Sequence, residues 1–336
     1  ETTAQIRLLD PNIVSPAFQP LQQNKQYYNF PSFLNVDRYD LGEAELPDTV
    51  IALRELDLDG LSDENRNWVN DHTVFTHGFG VVAAYGNDTT VDGQPLFIEG
   101  GIPSDGLLGD YEPRVYFGET VPDYSIVGAP EGTTPWELDY PDDDSANGQV
   151  NTTYTGDGGP AIGSTWQKLA YAIAFGEEQI LFSDRVTEES QILYHRDPLE
   201  RVAMVAPYLE LDSTAYPAVV DGRIVWVVDG YTTTTNYPYS TMLDVTGLFA
   251  DASESVTGTQ LNYVRNSVKA TVDAYDGTVT LYAWDEEDPI LQAWSQIFPT
   301  ALHPIDEISS ELMSHLRYPA DLFTIQRYQL ATYHVT

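Results

Sequence analysis

The sequence contains no cysteine and only three lysines, Lys25, Lys168 and Lys269. Without cysteine the chain forms no disulfide, has no thiolate nucleophile and cannot bind zinc through sulfur. The shortage of basic residues leaves 52 Asp and Glu against 15 Lys and Arg, a formal net charge of −37. Nucleic-acid binding requires a basic surface, and an anionic lipid surface repels a chain of this charge. The composition therefore argues against nucleic acid as a partner and excludes thiol chemistry.

Long apolar runs are also missing. No stretch of 18 or more apolar residues occurs, so none of the 336 residues is typical of a membrane-spanning helix. The first residues do not have the pattern of a signal peptide, which indicates either a chain without a signal or a piece of a longer protein. Hydrophobic residues make up 42% of the chain, enough for a substantial core.

The first half of the sequence is typical of short strands separated by turns. Asp-Gly pairs at 59–60, 92–93 and 105–106 supply residues that tolerate tight reversals. A short helix is expected over 62–69, with Ser62 as its cap. The predicted strands cover 50–56, 74–85, 95–98, 114–118 and 124–127.

The second half carries helix start signals and two hairpins. Ser164 begins a capping box, and Trp166, Leu169, Ala170 and Ile173 follow at helical spacing. Further helices are expected after Asp197-Pro198, after Asp288-Pro289, over 309–316, and from Pro319 to about Tyr333.

Hairpins are predicted over 218–226, turning at Asp221-Gly222, and over 268–284, turning at Asp276-Gly277. In the second hairpin apolar residues alternate with Lys269, Thr271 and Asp273. That alternation predicts a sheet with one buried and one solvated face.

These patterns predict an α+β fold, mainly antiparallel β-sheet, with the helices concentrated in the second half. An irregular β-propeller with helical insertions is the alternative, although no fixed repeat supports it. The predicted organisation is a β-rich lobe over 1–140, an acidic, glycine-rich linking loop over 141–163 and an α+β lobe over 164–336.

Several common chemistries lack their motifs. The glycine cluster at 156–161 is not preceded by a buried strand, and Pro160 removes a backbone donor, so nucleotide binding is not expected. No HExxH, GxSxG or phosphate-binding loop occurs. Carboxylate pairs for glycoside hydrolysis come from distant positions and stay open as an alternative.

Four carboxylates cluster around one turn, at Asp57, Asp59, Asp63 and Glu64. Calcium takes six to eight oxygen ligands, and this segment offers several, although glycine does not stand where an EF-hand needs it. A helix cap with acidic residues in its first turn explains the same pattern without a metal. The four residues are a candidate calcium site, and no other cofactor is assignable.

The segment 229–239 is rich in tyrosine and threonine and follows a strongly apolar strand. Exposed aromatic rings beside hydroxyls and a carboxylate suit stacking on a sugar or gripping a peptide. Asp229, Tyr231, Tyr237 and Tyr239 are therefore the candidate ligand-binding residues. Tyrosines that pack a loop onto the sheet are the competing interpretation.

Several segments resemble uncharacterised protein family 0182, a group of large actinobacterial and cyanobacterial membrane proteins. The resemblance is strongest in NYVRNSVKATVDAYDG at 262–277. It continues in IRLLDPN at 6–12, HTVFTHG at 72–78, RDP at 196–198, YPAVVDG at 216–222, VVDGYTT at 227–233, LRYP at 316–319 and YHV at 333–335.

The resemblance implies several transmembrane helices ahead of a large extracytoplasmic region, of which this chain is a central piece on the outer face of the plasma membrane. It implies no reaction, cofactor or catalytic residue, and this chain is more acidic than the family leads one to expect.

Three functional hypotheses follow. In the first, the chain is an envelope ectodomain that binds a glycan, peptide or other partner for its own membrane-spanning region. In the second it is a carboxylate-dependent hydrolase of envelope polysaccharide, and in the third a calcium-stabilised structural module.

Overall fold

The structure is a computed structural model that describes residues 8–42, 46–145, 147–245 and 260–333. The chain divides into two compact units. Unit 1 comprises residues 1–197 together with 222–224 and 273–277, and unit 2 comprises 198–221, 225–272 and 278–336.

In its described residues, unit 1 is mainly β-structure with three α-helices. Its helices are α1 (Pro11–Gln22), α2 (Thr165–Phe175) and α3 (Gln179–Phe182). Its strands are β1 (Tyr28–Asn29), β2 (Asn35–Arg38), β3 (Asp48–Leu53), β4 (Glu55–Leu56), β5 (Gly78–Phe79), β6 (Val81–Thr89), β7 (Pro95–Gly100), β8 (Asp105–Gly106), β9 (Arg114–Val115), β10 (Tyr124–Val127), β11 (Glu137–Pro141), β12 (Gln149–Thr152) and β13 (Gln191–Tyr194).

An antiparallel sheet in the order β2-β3-β6-β7-β8 packs against α1. Val14 and Phe18 of α1 are buried in one cluster with Val50 and Val82 of the sheet. The helix begins at Pro11 after the Asp10 cap, a combination that favours helix initiation. The sequence did not predict α1, because proline normally ends a helix and this helix contains internal prolines.

A second cluster of unit 1 lies beneath α2. Strands β10 and β13 pair antiparallel, and Ile126 and Ile192 pack there with Ile162 and Ile180. The predicted capping box at Ser164 is present, and Gly176 ends the helix with a φ of 70°.

The described part of unit 2 combines one large sheet with four α-helices. Its helices are α4 (Pro198–Val205), α5 (Pro289–Ile297), α6 (Ser310–His315) and α7 (Ala320–Tyr333). Its strands are β14 (Glu210–Leu211), β15 (Tyr216–Val220), β16 (Arg223–Thr234), β17 (Leu243–Asp244), β18 (Gln260–Leu261), β19 (Tyr263–Asp273), β20 (Val279–Ala283) and β21 (Leu302–Pro304), with the first residues of β16 and the last of β19 counted in unit 1.

The large sheet has the order β14-β16-β19-β20-β21, and β15 pairs with β16. The turn at Asp221-Gly222 has positive φ at both residues, as a two-residue hairpin requires. The prediction of a solvated face on β19 is wrong, because Lys269 and Thr271 are buried. The Lys269 ammonium pairs with Asp229 and donates to the carbonyl of Arg317, and sequence alternation does not reveal these partners.

The predicted fold class is confirmed: the sheets are mostly antiparallel and most helices lie in the second half. No closed barrel or propeller is found in the described ranges. The helix expected over 62–69 is wrong in its extent, since only short turns of helix occur, at Asp63–Asn65 and Asn70–Val74.

The division into units differs from the predicted lobes. Strands β11 and β12 pair with each other, so the acidic residues 142–145 lie in unit 1 between two paired strands and do not link two lobes. Residues 164–197 also belong to unit 1, because β13 pairs back onto β10.

Candidate functional site

The four tyrosine and aspartate residues proposed as ligand contacts do not share one surface. Asp229 and Tyr231 are buried within β16, whereas Tyr237 is half-exposed and Tyr239 is fully exposed. The structure therefore separates a buried polar network from a surface pocket, and only Tyr237 lines the pocket.

Asp229 forms a buried ion pair with Lys269 on the neighbouring strand β19. Asn266 donates to Asp229 Oδ1 at 3.0 Å, and Lys269 Nζ donates to the carbonyl of Arg317 at 2.7 Å. Burial raises the pKa of Asp229 and lowers the pKa of Lys269, while their mutual attraction opposes both shifts. Because Asp229 Oδ1 is bonded to both Lys269 and Asn266, Asp229 holds two strands together and does not face a ligand.

Tyr231 anchors the start of α7. Its hydroxyl donates to Asp212 Oδ2 at 2.5 Å and accepts from the backbone N–H of Leu322 at 3.3 Å. Asp212 Oδ2 also accepts the N–H of Asp321 at 2.9 Å, and the Asp321 carboxylate accepts from Ser213. Burial, and then the contact with Asp212, raise the pKa of Tyr231. These bonds fix the first turn of α7, where helical N–H groups lack internal partners.

A surface pocket of about 380 Å³ lies beside this anchored helix, within unit 2. One wall is a single face of α7, because residues spaced by three and four lie on the same side of a helix. The pocket is lined by Tyr237, Ser240, Thr241, Leu243, Val245, Leu261, Asn262, Tyr263, Val264, Leu322, Ile325, Gln326 and Gln329.

Tyr237 and Tyr263 form the aromatic part of the pocket. Their rings stack with centroids 5.0 Å apart and planes 23° apart. The Tyr263 hydroxyl donates to Asp288 Oδ1 at 2.5 Å, and burial together with this bond raises the pKa of Tyr263 to about 12. Tyr263 is therefore a neutral, fixed platform, and Tyr237 rests on it.

Asp288 is the group that positions Tyr263. Its Oδ2 accepts from Thr232 and Ser267, and its carboxylate caps α5 through Ile290 and Leu291. Burial raises the pKa of Asp288, but the hydrogen bonds from the hydroxyls outweigh it, so the pKa lies below its ordinary value. The carboxylate stays ionised beneath the pocket, with both oxygens engaged.

Asn262 fixes the loop that carries Tyr237. Its amide oxygen accepts the N–H of Tyr237 at 3.0 Å, and its NH₂ donates to the carbonyls of Tyr237 at 2.9 Å and Ser240 at 3.4 Å. The loop is thus held in one position at the pocket rim. Such preorganisation lowers the entropic cost of binding.

Among the residues that the structure describes, the pocket lining contains no Asp, Glu, Lys, Arg or His. This is unusual in a chain where 20% of residues are charged and the net charge is −37. Its polar groups are amides and hydroxyls, which donate and accept hydrogen bonds without charge. The arrangement suits a neutral ligand that carries hydroxyl or amide groups and presents an apolar face.

A second pocket of unit 2, of about 350 Å³, lies beside α5. It is lined by Ala283, Glu286, Leu291, Gln292, Ser295, Gln296, Phe298, Pro299, Leu302 and Pro304. Phe298 also ends a stack of parallel rings with Trp294 and Tyr208. Several of its polar atoms serve the fold: Gln292 bonds the carbonyl of Glu286, and Ser295 bonds that of Leu291.

The candidate calcium residues do not converge. Asp57 accepts from the N–H of Asp59 at 3.0 Å and from Asn29 at 2.9 Å, as the cap of a short turn. Asp59 lies near Arg66, whereas Asp63 and Glu64 are exposed in the next turn. Across the described ranges, no group of three or more His, Cys, Asp or Glu side chains is placed to hold a metal ion.

Glu55 is a buried carboxyl group that the sequence analysis missed. Its Oε2 accepts the N–H of Thr120 at 3.0 Å, and its Oε1 has no hydrogen-bond partner in the described structure. Burial, followed by repulsion from Glu119, raises the pKa of Glu55 to about 8. The available signal was a charged pair, Arg54-Glu55, inside an otherwise apolar strand segment.

Asn262, Tyr263 and the α7 face were missed as well. The α7 face is recognisable in retrospect by the spacing of Leu322, Ile325, Gln326 and Gln329. No local pattern places it against Tyr237, since the two segments are about 85 residues apart in the chain.

The chain is an acidic α+β protein whose second unit has a pocket lined, as far as its residues are described, by uncharged side chains. It belongs to the uncharacterised protein family UPF0182, whose family model matches residues 1–336. Three similar proteins are the UPF0182 protein of Bifidobacterium adolescentis, 60% identical over 346 residues, BL1029 of Bifidobacterium longum, 59% identical over 346 residues, and TW644 of Tropheryma whipplei, 59% identical over 339 residues.

Each alignment covers 100% of this chain but only 31%, 32% and 35% of the respective relative. The chain therefore spans about one third of the length of the curated relatives it matches. No solved structure matches it. Among the described helices, none combines the length and apolar character that crossing a membrane requires.

Proposed function

We propose that the chain is a ligand-binding ectodomain on the outer face of the plasma membrane, serving the membrane-spanning region of a longer protein. Its ligand is a neutral envelope glycan, bound in the pocket between Tyr237 and α7. The observation that carries the proposal is an uncharged, aromatic- and amide-lined pocket in a chain of net charge −37.

A glycan fits this pocket for two reasons. The half-exposed ring of Tyr237 offers a flat apolar surface to the C–H face of a sugar, and its other side is supported by Tyr263. Gln326 of α7 lines the pocket and has amide donors and acceptors that match sugar hydroxyls. The volume of about 380 Å³ lies at the low end of small-molecule sites, which corresponds to one or two sugar rings.

The binding test compares Tyr237→Ala with Tyr239→Ala. Both side chains are exposed tyrosines of one loop, but only Tyr237 lines the pocket, so Tyr239→Ala is the matched control. We expect Tyr237→Ala to weaken the binding of neutral cell-wall oligosaccharides by about 3- to 10-fold, the value of one aromatic contact. Ligand-observed NMR and isothermal titration calorimetry with defined oligosaccharides measure it.

Equal loss of affinity in the two variants would show that the glycan binds elsewhere. If the chain binds uncharged peptides and not glycans, and Tyr237→Ala weakens that binding, the proposed site is correct but its ligand is a peptide. Failure of the wild-type chain to bind either ligand contradicts the proposal.

The proposed location rests on the family resemblance and on the greater length of the relatives. Because the chain has no cysteine, a single Val91→Cys substitution at a fully exposed position gives one labelling site in this region. In a full-length protein without other cysteines, we expect a membrane-impermeant maleimide to label this site on intact cells as completely as in lysed cells. Labelling that appears only after lysis contradicts the outer location.

A hydrolase is the second candidate, favoured only by Glu55 and its neighbour Glu119. A carboxyl with a pKa near 8 is protonated at neutral pH, as a general acid requires. However, Glu55 is 1% exposed, so a substrate does not reach it in the present conformation. Its Oε2 is also engaged in a backbone hydrogen bond, which is typical of a structural carboxyl group.

A further inference from the structure

Helix α2 is apolar on both of its sides. Its inner side packs Tyr171, Ala172 and Phe175 against the core of unit 1. Its outer side, which we call the α2 face, consists of Trp166, Leu169, Ala170 and Ile173, all exposed. Trp166 is 81% exposed and Ile173 is 73% exposed. A helix that is hydrophobic all round is normally covered on all sides.

The exposure of these residues contrasts with their spacing in the sequence. Trp166, Leu169 and Ile173 recur at helical spacing, which is typical of a side that faces a core. In the structure, Tyr171, Ala172 and Phe175 pack against the core instead, and the stripe is exposed to solvent. Single exposed apolar residues need no explanation, but a continuous stripe indicates an interaction surface.

The local charge distinguishes the α2 face from the rest of the molecule. The segment 165–175 contains Lys168 and no Asp or Glu, although the whole chain carries 52 acidic residues. The neighbouring helix α3, which packs against α2, adds Phe182 at 71% exposure. The α2 face is therefore an uncharged, apolar area on a strongly acidic protein.

The charge of the chain also limits what can cover this face. A second copy brings another net charge of −37, and an anionic lipid surface repels the chain. A segment of the same polypeptide is covalently tethered, which gives it a high effective concentration at this face. It can therefore bind there despite a charge repulsion that would keep a separate molecule away. About two thirds of each similar relative lies outside the region matched by this chain.

From these observations we infer that the α2 face is an intramolecular docking surface for an apolar segment of the full-length protein outside residues 1–336. Trp166 and Ile173 are its principal contacts, since they have the most exposed apolar surface to bury. Large aromatic and aliphatic side chains of this kind contribute most of the energy at interfaces.

The test uses the absence of cysteine in the chain. Ile173→Cys places a thiol in the α2 face, and Val91→Cys serves as the matched exposed control in unit 1. Both variants are made in the 336-residue chain and in a full-length protein without other cysteines. Circular dichroism verifies folding, and Leu169→Cys replaces Ile173→Cys if that variant does not fold.

We expect maleimide to label Cys at position 173 at least about tenfold more slowly in the full-length protein than in the 336-residue chain, because a covered thiol reacts only when the contact opens. The control at position 91 should react at equal rates in both. The protection should persist after detergent extraction and should not depend on protein concentration.

Three results would overturn the inference. Equal labelling of position 173 in both proteins means that nothing in the full-length protein covers the face. Protection that disappears on detergent extraction identifies lipid as the occupant. Protection of the 336-residue chain that grows with concentration identifies a second copy.

Discussion

Arg196 shows how single buried charges organise unit 1. Its guanidinium donates to the carbonyls of Tyr116 and Thr76 and to the hydroxyl of Ser125, and burial lowers its pKa to about 9. The side chain thereby joins three segments that are distant in sequence. Arg54 does the same for the carbonyls of Gln22 and Phe79. Neither role can be predicted from the sequence, because the carbonyl groups that accept these hydrogen bonds are distant from the arginines in the chain.

Glu55 gives a prediction at this scale. Its pKa is about 8 in the folded protein, above the ordinary value of 4.5 that applies to the unfolded chain. The folded state therefore retains a proton that the unfolded state loses, and stability falls as pH rises from about 4.5 to about 8. Glu55→Gln, which keeps an acceptor for Thr120, should remove the contribution of Glu55 to this fall and stabilise the protein at pH 8 by about 4 kcal/mol.

Urea unfolding at pH 5 and pH 8 measures the effect, and Glu64→Gln, at an exposed carboxylate, is the control. An unchanged slope of stability against pH in Glu55→Gln would contradict the assignment. If the wild-type chain also hydrolysed an envelope glycan and Glu55→Gln abolished that activity, the hydrolase would become the leading function.

At the scale of elements, the sequence was a sufficient guide where local signals decide the structure. The capping box at Ser164, the Asp-Pro starts of α4 and α5 and the turn at Asp221-Gly222 are all confirmed. It failed where contacts between distant segments decide. Both sides of α2 are apolar, so the spacing alone could not select the side that packs. Alternation along β19 predicted a solvated Lys269, whereas the side chain is buried with partners on β16 and near α7 that are distant in sequence.

The ion pair between β16 and β19 provides the second prediction. Lys269→Met leaves Asp229 buried without a counter-charge and should destabilise the protein by about 3–5 kcal/mol. The double variant Lys269→Met with Asp229→Leu removes both charges and should recover most of that loss. Lys25→Met is the control, because Lys25 pairs with an exposed Asp143 and such pairs contribute little.

Chemical denaturation of the four proteins compares these free energies of unfolding. A loss in Lys269→Met no larger than that in Lys25→Met would show that the pair is not a buried structural contact. Glycan binding by the double variant should match that of the wild type, since neither residue lines the pocket.

At the scale of the whole molecule, local sequence signals were sufficient to predict the fold class but not the candidate site. The α+β class followed from turn, cap and alternation signals, each of which is local. The pocket could not be predicted, because it combines a loop at 237–245, strand residues at 261–264 and the α7 face. The calcium hypothesis came from proximity in sequence, whereas ligand geometry requires convergence in space.

Charge on this scale yields a third prediction. Because a net charge of −37 destabilises the compact state through self-repulsion, added NaCl should raise the melting temperature by screening. At constant ionic strength, replacing part of the NaCl with about 1 mM CaCl₂, or adding a chelator, should change the melting temperature by less than about 1 °C. A calcium ion that bound the native state would instead raise the melting temperature. Scanning calorimetry distinguishes the two cases, and a clear calcium-specific rise would restore the calcium module.

The composition of unit 1 has a consequence for biosynthesis. Its core includes Tyr275, and Gly277 lies against Phe117, yet residues 273–277 are synthesised long after residue 197. Domains fold largely in the order in which they leave the ribosome, but this unit waits for a hairpin tip contributed some 75 residues later. Until that tip arrives, the nascent chain exposes Tyr116, Phe117 and Tyr154 as an unfinished aromatic core. Unit 1 therefore remains an incomplete folding unit during synthesis for longer than a contiguous domain of the same size.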